Sequence, residues 1–231
     1  MAFLIPSRAS QGLTFNNSMA GTDTASISTT FFLWELTRRP DIVSKLRAEL
    51  DDAMPDPKVL PDTTVLGELP YFNAFLKEGA NYDFELCLKL TAICTGLRLY
   101  SAAPSLLERV VPSSTLKSGV TDEIFDMMGY ALPPGTIVGT QAWSMHRDAS
   151  VFPSPDVFLP DRWLSTSTSP EDLARMTAHM MPFGTGTRIC GGQNLALMML
   201  KLGIAAFVRN FEIRAPAETT DASMEVMDSF V

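Results

Sequence analysis

An arginine and a cysteine stand two positions apart in a glycine-rich run, Phe183-Gly184-Thr185-Gly186-Thr187-Arg188-Ile189-Cys190-Gly191-Gly192. An apolar stretch of helical period follows at once, through Leu195, Leu197, Met198, Met199, Leu200 and Leu202. A thiolate at the start of a helix is favoured by free N–H groups and by the positive end of the helix dipole. Glycines remove side chains, so a large flat ligand can lie against the backbone. The arginine can meet that ligand's carboxylates in a fork. Together these residues describe a soft axial ligand for haem iron. The bland alternative is a buried free cysteine.

The other residue types narrow the choice. The chain holds three cysteines and two histidines. Two of the cysteines, Cys87 and Cys94, share one segment, so no disulfide framework is expected. A zinc site of four protein ligands cannot be assembled from this set, and a metal carried by a cofactor fits it better. Net charge is −8, which gives nucleic-acid binding no electrostatic support. No apolar run approaches the roughly 20 residues of a membrane span. A cysteine nucleophile at Cys190 would need His146 or His179 as its base, and neither histidine has a signature context.

The run from Phe183 to Gly192 resembles the haem-binding signature of the cytochrome P450 monooxygenases, F-G-x-G-x-R-x-C-x-G. The resemblance makes Cys190 the iron ligand, with Phe183, Gly186 and Arg188 as cofactor-binding residues. Ala20-Gly21-Thr22-Asp23-Thr24 is similar to the oxygen-activation motif of the same family. By that resemblance Ala20 and Gly21 leave room for dioxygen, and Asp23 and Thr24 deliver protons. Ala25 stands where the family commonly has Thr or Ser. Arg109, in Glu108-Arg109-Val110-Val111-Pro112, matches an arginine that holds a haem propionate. Pro160-Asp161-Arg162-Trp163 resembles P-E-R-W, whose arginine joins a structural triad.

The other two triad members come from E-x-x-R on one helix face. Here Glu78 and Arg98 take those places, with residues 80–96 between them. Deleting that segment joins the flanks into K-E-G-L-R-L-Y. On a continuous helix the two residues would lie about 30 Å apart along the axis, so they can pair only if the segment loops out. Residues 80–96 are read as a retained intron or a loop insertion.

The elements that must position these residues are mostly helical. Residues 18–36 read as a helix with Ile27, Phe31 and Trp34 on its stripe, and Met1 to Asn17 does not read as its upstream turns. Pro40 opens a second helix with Ile42, Leu46 and Leu50 inward. Asp51 to Asp62 reads as loop. Leu69 to Glu78 reads as a third helix, with Phe72, Phe75 and Leu76 inward. Short strands are expected at 110–111 and 136–140, with Val120 to Gly129 lengthening the turn before Tyr130. Phe152 to Trp163 reads as ordered meander, Asn194 to Arg209 as helix, and Asp221 to Val231 as a strand. The fold class is mainly α, an α-rich α+β body.

The resemblance covers roughly residues 18–231. It implies a single partial domain, the C-terminal half of the cytochrome P450 fold, of fungal type. It further implies haem as cofactor, a small organic substrate, and electrons from NADPH through a reductase partner. Family members of this type sit on the endoplasmic reticulum membrane through an N-terminal anchor that this sequence does not show. The implied reaction inserts one atom of dioxygen into the substrate, in secondary metabolism or aromatic oxidation. The alternative is a truncated, non-catalytic remnant or partial gene model. Expressed alone, the chain is expected to bind haem weakly or to aggregate.

Overall fold

The computed structural model describes residues 8–79, 98–112 and 125–226, with side chains from residue 20 onward. The segment 80–96 lies outside the described residues. The chain opens on α1 (Arg8–Arg38), followed by α2 (Pro40–Ala53), α3 (Thr63–Gly67) and α4 (Pro70–Gly79). Strands β1 (Leu106–Val110), β2 (Phe125–Met127), β3 (Tyr130–Leu132) and β4 (Ile137–Gln141) follow. The short α5 (Ala142–Met145), then α6 (Pro170–Ala178) and α7 (Gln193–Asn210), complete the set. Two 3-10 turns, Pro160–Trp163 and Gly186–Arg188, flank α6. Helices dominate and the strands are short, as expected for an α-rich fold.

The helical core is set by complementary faces. Phe32 and Leu36 of α1, Ile42, Leu46 and Leu50 of α2, and Phe72 and Phe75 of α4 are buried together. Leu197, Leu200, Ile204 and Val208 of α7 close that cluster from the other side. Pro40 starts α2 at a position where the missing N–H costs nothing. The first N–H groups of α4, which have no partner within the helix, are satisfied from α2: the Glu49 carboxylate accepts from Tyr71 N at 2.9 Å and Phe72 N at 2.6 Å. Arg47 of α2 caps the end of α7, donating to Val208 O at 3.1 Å and Phe211 O at 2.8 Å.

Several elements differ from the sequence reading. α1 begins at Arg8, so residues 8–17 are its upstream turns after all. Its core side is Ser28, Phe32, Glu35 and Leu36, while Ile27 is 44% exposed. Apolar residues occur all round this helix, so spacing alone did not fix the inward side. α2 runs on through Ala53 before the loop begins. α3 and α6 stand where no helix was expected, each started by a side-chain cap. Asp62 accepts from Thr64 N at 2.8 Å, and Ser169 from Asp172 N at 3.1 Å.

β1 and β4 pair antiparallel with Val110 opposite Ile137, and β2 and β3 form a second antiparallel pair. The described part of the expected long turn, Phe125–Gly129, is therefore one arm of a hairpin. The bend at its tip puts Met128 and Gly129 at positive φ. Residues 221–224 form a turn and not the start of a strand; 227–231 lie outside the described residues.

Candidate functional site

The cysteine loop is closed by its own backbone. Cys190 N donates to Phe183 O at 2.9 Å, and Gly184 N to Met181 O at 3.0 Å. Gly184 and Gly186 adopt φ of +73° and +70°, which a side chain would strain. Phe183 packs against the main core, anchoring the loop's first residue. Cys190 is exposed and unpaired. It lies just before Gly192, the N-cap of α7.

Two glycines of the loop face open space. A Cβ added at Gly186 or Gly191 would meet nothing within 4 Å. Beyond the loop, α7 has two apolar sides. Leu197, Leu200, Ile204 and Val208 are buried, whereas Leu195, Met198 and Met199 are exposed. On a helix of 3.6 residues per turn these sets fall on opposite sides. The second apolar face begins immediately after the cysteine.

α1 packs against α7 and shows the same pattern. The side that is buried at Ser28, Phe32 and Leu36 carries Gly21 and Thr24 further up. Gly21 is exposed, and a Cβ there would also meet nothing within 4 Å. Thr24 is half-buried and donates its hydroxyl to Ala20 O at 2.7 Å. Asp23 beside it is exposed. Ser26, Ser28, Thr29 and Thr30 make the same bond to the preceding turn. Such bonds hold the hydroxyls against the helix and favour bending.

Both candidate arginines are exposed. Among the described residues Arg109 donates to the neighbouring Glu108 O, at 2.7 Å. Arg188 sits in the 3-10 turn of the loop. Among the described residues neither has a carboxylate partner, so both guanidinium groups are available to an anionic ligand. An exposed thiol in a glycine cradle, two arginines with no carboxylate partner among the described residues and the bare apolar face of α7 fit a flat, amphipathic dianion such as haem. Among the described residues no group of three or more His, Cys, Asp or Glu is placed to hold a bare metal ion.

Glu78, Arg98 and Arg162 are brought together. Arg98 Nη2 donates to Glu78 Oε1 at 2.6 Å and its Nε to Oε2 at 3.0 Å. Arg162 Nε reaches Oε1 at 3.1 Å, and Trp163 Nε1 reaches Oε2 at 2.8 Å. Leu159 N adds a fifth donor at 2.9 Å. Glu78 and Arg98 are fully buried, yet the carboxylate is saturated with donors. Desolvation lowers the Arg162 pKa, and the nearby Glu78 charge opposes that shift.

The contacts of three residues escaped the sequence reading. Glu35 of α1 is 2% exposed and accepts from Arg39 Nε at 2.7 Å and from the Tyr100 hydroxyl. The spacing Glu35–Arg39 was a readable i, i+4 pair; Tyr100 carried no local signal. Burial, and then its bond to Glu35, push the Tyr100 phenol well above its usual pKa. His146 is fully buried, with Nδ1 at 3.1 Å from Arg98 O and Nε2 accepting from Met181 N at 2.8 Å. His179 Nδ1 lies 2.8 Å from Arg175 O. Among the described residues no hydrogen bond joins either histidine to Cys190.

The sequence model of the cytochrome P450 family matches residues 9–80 and 90–231. The chain belongs to the cytochrome P450 family. It is 34% identical over 217 residues to the cytochrome P450 monooxygenase stcB of Emericella nidulans, covering 92% of this chain and 35% of that protein. It is 32% identical over 206 residues to (S)-N-methylcanadine 1-hydroxylase of Papaver somniferum, covering 87% of this chain and 32% of that protein. With the monooxygenase sdnE of Sordaria araneosa the figures are 31% over 212 residues, 92% and 36%. The chain spans about a third of the length of these curated relatives. Among the described residues no helix is long and apolar enough to cross a membrane.

Proposed function

We propose that this chain carries the haem-thiolate wall of a monooxygenase, in which the Cys190 thiolate would hold the haem iron. The observation that carries the reading is the Cys190 loop: an exposed thiol, its backbone pinned to Phe183, with open space at Gly186 and Gly191. Bound there, haem would supply the redox chemistry that inserts one oxygen atom of dioxygen into a substrate and reduces the other to water.

The chain's own residues have distinct tasks. Cys190 presents a soft, electron-rich sulfur whose orientation is set by the closed loop. Arg188 and Arg109 take the propionates as charge-assisted hydrogen bonds. Leu195, Met198 and Met199 offer apolar surface to the macrocycle and keep water from it. Thr24 moves a proton at Oγ1 when it exchanges its bond to Ala20 O for an acceptor in the pocket. Asp23, exposed one residue earlier, resupplies that proton. Glu78, Arg98 and Arg162 brace the fold through their shared bonds. Electrons come from NADPH through a reductase partner on the endoplasmic reticulum membrane. A hydroxylase of (S)-N-methylcanadine among the relatives supports a small organic substrate.

The test supplies the haem-loaded chain with NADPH, a reductase and labelled dioxygen over a panel of small aromatic and terpenoid compounds. Product carrying one labelled oxygen, with Thr24→Ala consuming NADPH but yielding less product, supports the reading. Unlabelled product, or equal product from Thr24→Ala, contradicts it. Haem binding without product limits the chain to ligand binding.

A further inference from the structure

The buried brace and the cysteine loop are joined by one side chain. Arg98 and His146 are bonded reciprocally: Arg98 Nη1 donates to His146 O at 3.0 Å, and His146 Nδ1 faces Arg98 O at 3.1 Å. A carbonyl only accepts, so Nδ1 carries the proton. A backbone N–H only donates, so Nε2, 2.8 Å from Met181 N, carries the lone pair. The two partners define a neutral imidazole of fixed tautomer.

Met181 begins the approach to the loop. α6 has already ended at Ala178, and Met181 is 5% exposed. The next residue, Pro182, has no N–H to share in a turn. Without the imidazole, the Met181 N–H would be a buried donor with no partner in a helix or strand. From there the backbone continues the linkage. Met181 O accepts from Gly184 N, and Phe183 O accepts from Cys190 N. Thus Glu78, Arg98, His146, Met181, Phe183 and Cys190 form one connected run of bonds and short chain segments.

We propose that His146 is a positioning residue that fixes the Cys190 loop through its bond to the Met181 N–H. It touches no ligand and acts only through the backbone. Its relevance to haem rests on the reading of Cys190 above, but the clamp itself does not.

The test uses the full chain without haem and reads amide hydrogen exchange. His146→Asn keeps a donor near the Nδ1 position for Arg98 O and loses the acceptor for Met181. His146→Gln places an amide oxygen near the Nε2 position and can restore that acceptor. Loss of one buried hydrogen bond predicts roughly tenfold faster exchange at the Cys190 amide in His146→Asn. His146→Gln should stay within about twofold of the parent, with α2 amides at Leu46 and Leu50 unchanged in both. Equal exchange in all three proteins overturns the proposal, as does equal acceleration in both variants. Acceleration that extends to α2 also counts against it, because that is general unfolding. The outcome is independent of haem: a chain that never binds haem refutes the functional reading and leaves this result intact.

Discussion

The Glu78 carboxylate and the Arg98 guanidinium meet in a two-pronged fork, with N–O distances of 2.6 and 3.0 Å and no exposure of either side chain. Arg162, Trp163 and the Leu159 N–H complete the ring of donors. One negative charge therefore holds two buried cations and ties α4 to the turn at Pro160–Trp163. Glu78→Gln leaves both guanidiniums uncompensated. Breaking such a pair costs about 3–5 kcal/mol. Urea denaturation should show that loss for Glu78→Gln. A change below about 1 kcal/mol, the level of an exposed pair, would remove the brace from the account.

Tyr100 joins α1 to the same region. Its hydroxyl donates to buried Glu35, and its ring stacks on Phe31 with centroids 4.4 Å apart. Tyr100→Phe keeps the ring and loses the bond to a charged acceptor, a cost of about 1.5–3 kcal/mol. A pH effect accompanies it. The folded chain holds the phenolic proton beyond the ordinary value near 10. That contribution is complete below about pH 10 and disappears as pH climbs toward the raised folded value. Tyr71, raised chiefly by burial, contributes in the same direction. The alkaline loss of stability should be shallower in Tyr100→Phe than in the parent, by urea midpoints taken across that range. Parallel curves would refute the linkage.

Among the described residues neither Arg109 nor Arg188 has a carboxylate partner, so each can meet an anion. Arg109→Ala and Arg188→Ala should each weaken haem binding roughly three- to tenfold in a titration, the range of one charge-assisted hydrogen bond partly screened by water. Haem with both propionates esterified supplies the control. If the arginines act on propionates, neither substitution should change affinity for the ester.

Gly21 offers a test in which stability and binding move in opposite directions. It lies inside α1, where alanine is better than glycine by about 0.8–1 kcal/mol. A Cβ there has nothing within 4 Å to strike. Gly21→Ala should therefore stabilise the ligand-free chain by up to that amount. Gly21→Leu should retain most of the gain and weaken haem binding by filling the space. Unchanged haem affinity in Gly21→Leu would move the ligand away from this face of α1.

The sequence made the chemistry legible wherever local residue order carries it. The run from Phe183 to Gly192 imposes its own turn through glycines, and Cys190 falls at the start of a helix as its neighbours require. α2 and α4 were readable because their inward residues repeat at three and four positions. The caps of α3 and α6, Asp62 and Ser169, were also local signals, but the helices behind them are short. The inward side of α1 was hidden by apolar residues on every side, and packing against α7 decides it. Pairings such as Glu78–Arg98, Glu35–Tyr100 and His146–Met181 lie 20, 65 and 35 positions apart. Glu78–Arg98 was legible only through the E-x-x-R resemblance once residues 80–96 are set aside, whereas no local spacing marks the other two, which tertiary packing brings together.

The central claim is that Cys190 supplies a thiolate to haem iron. The most direct measurement is the absorption spectrum of the reduced, carbon monoxide-treated, haem-titrated chain, recorded beside Cys190→Ser. The account predicts the thiolate-type band in the parent, however weak the binding, and its absence in Cys190→Ser. The same band in both proteins, or no haem spectrum in the parent at any haem concentration, would contradict it.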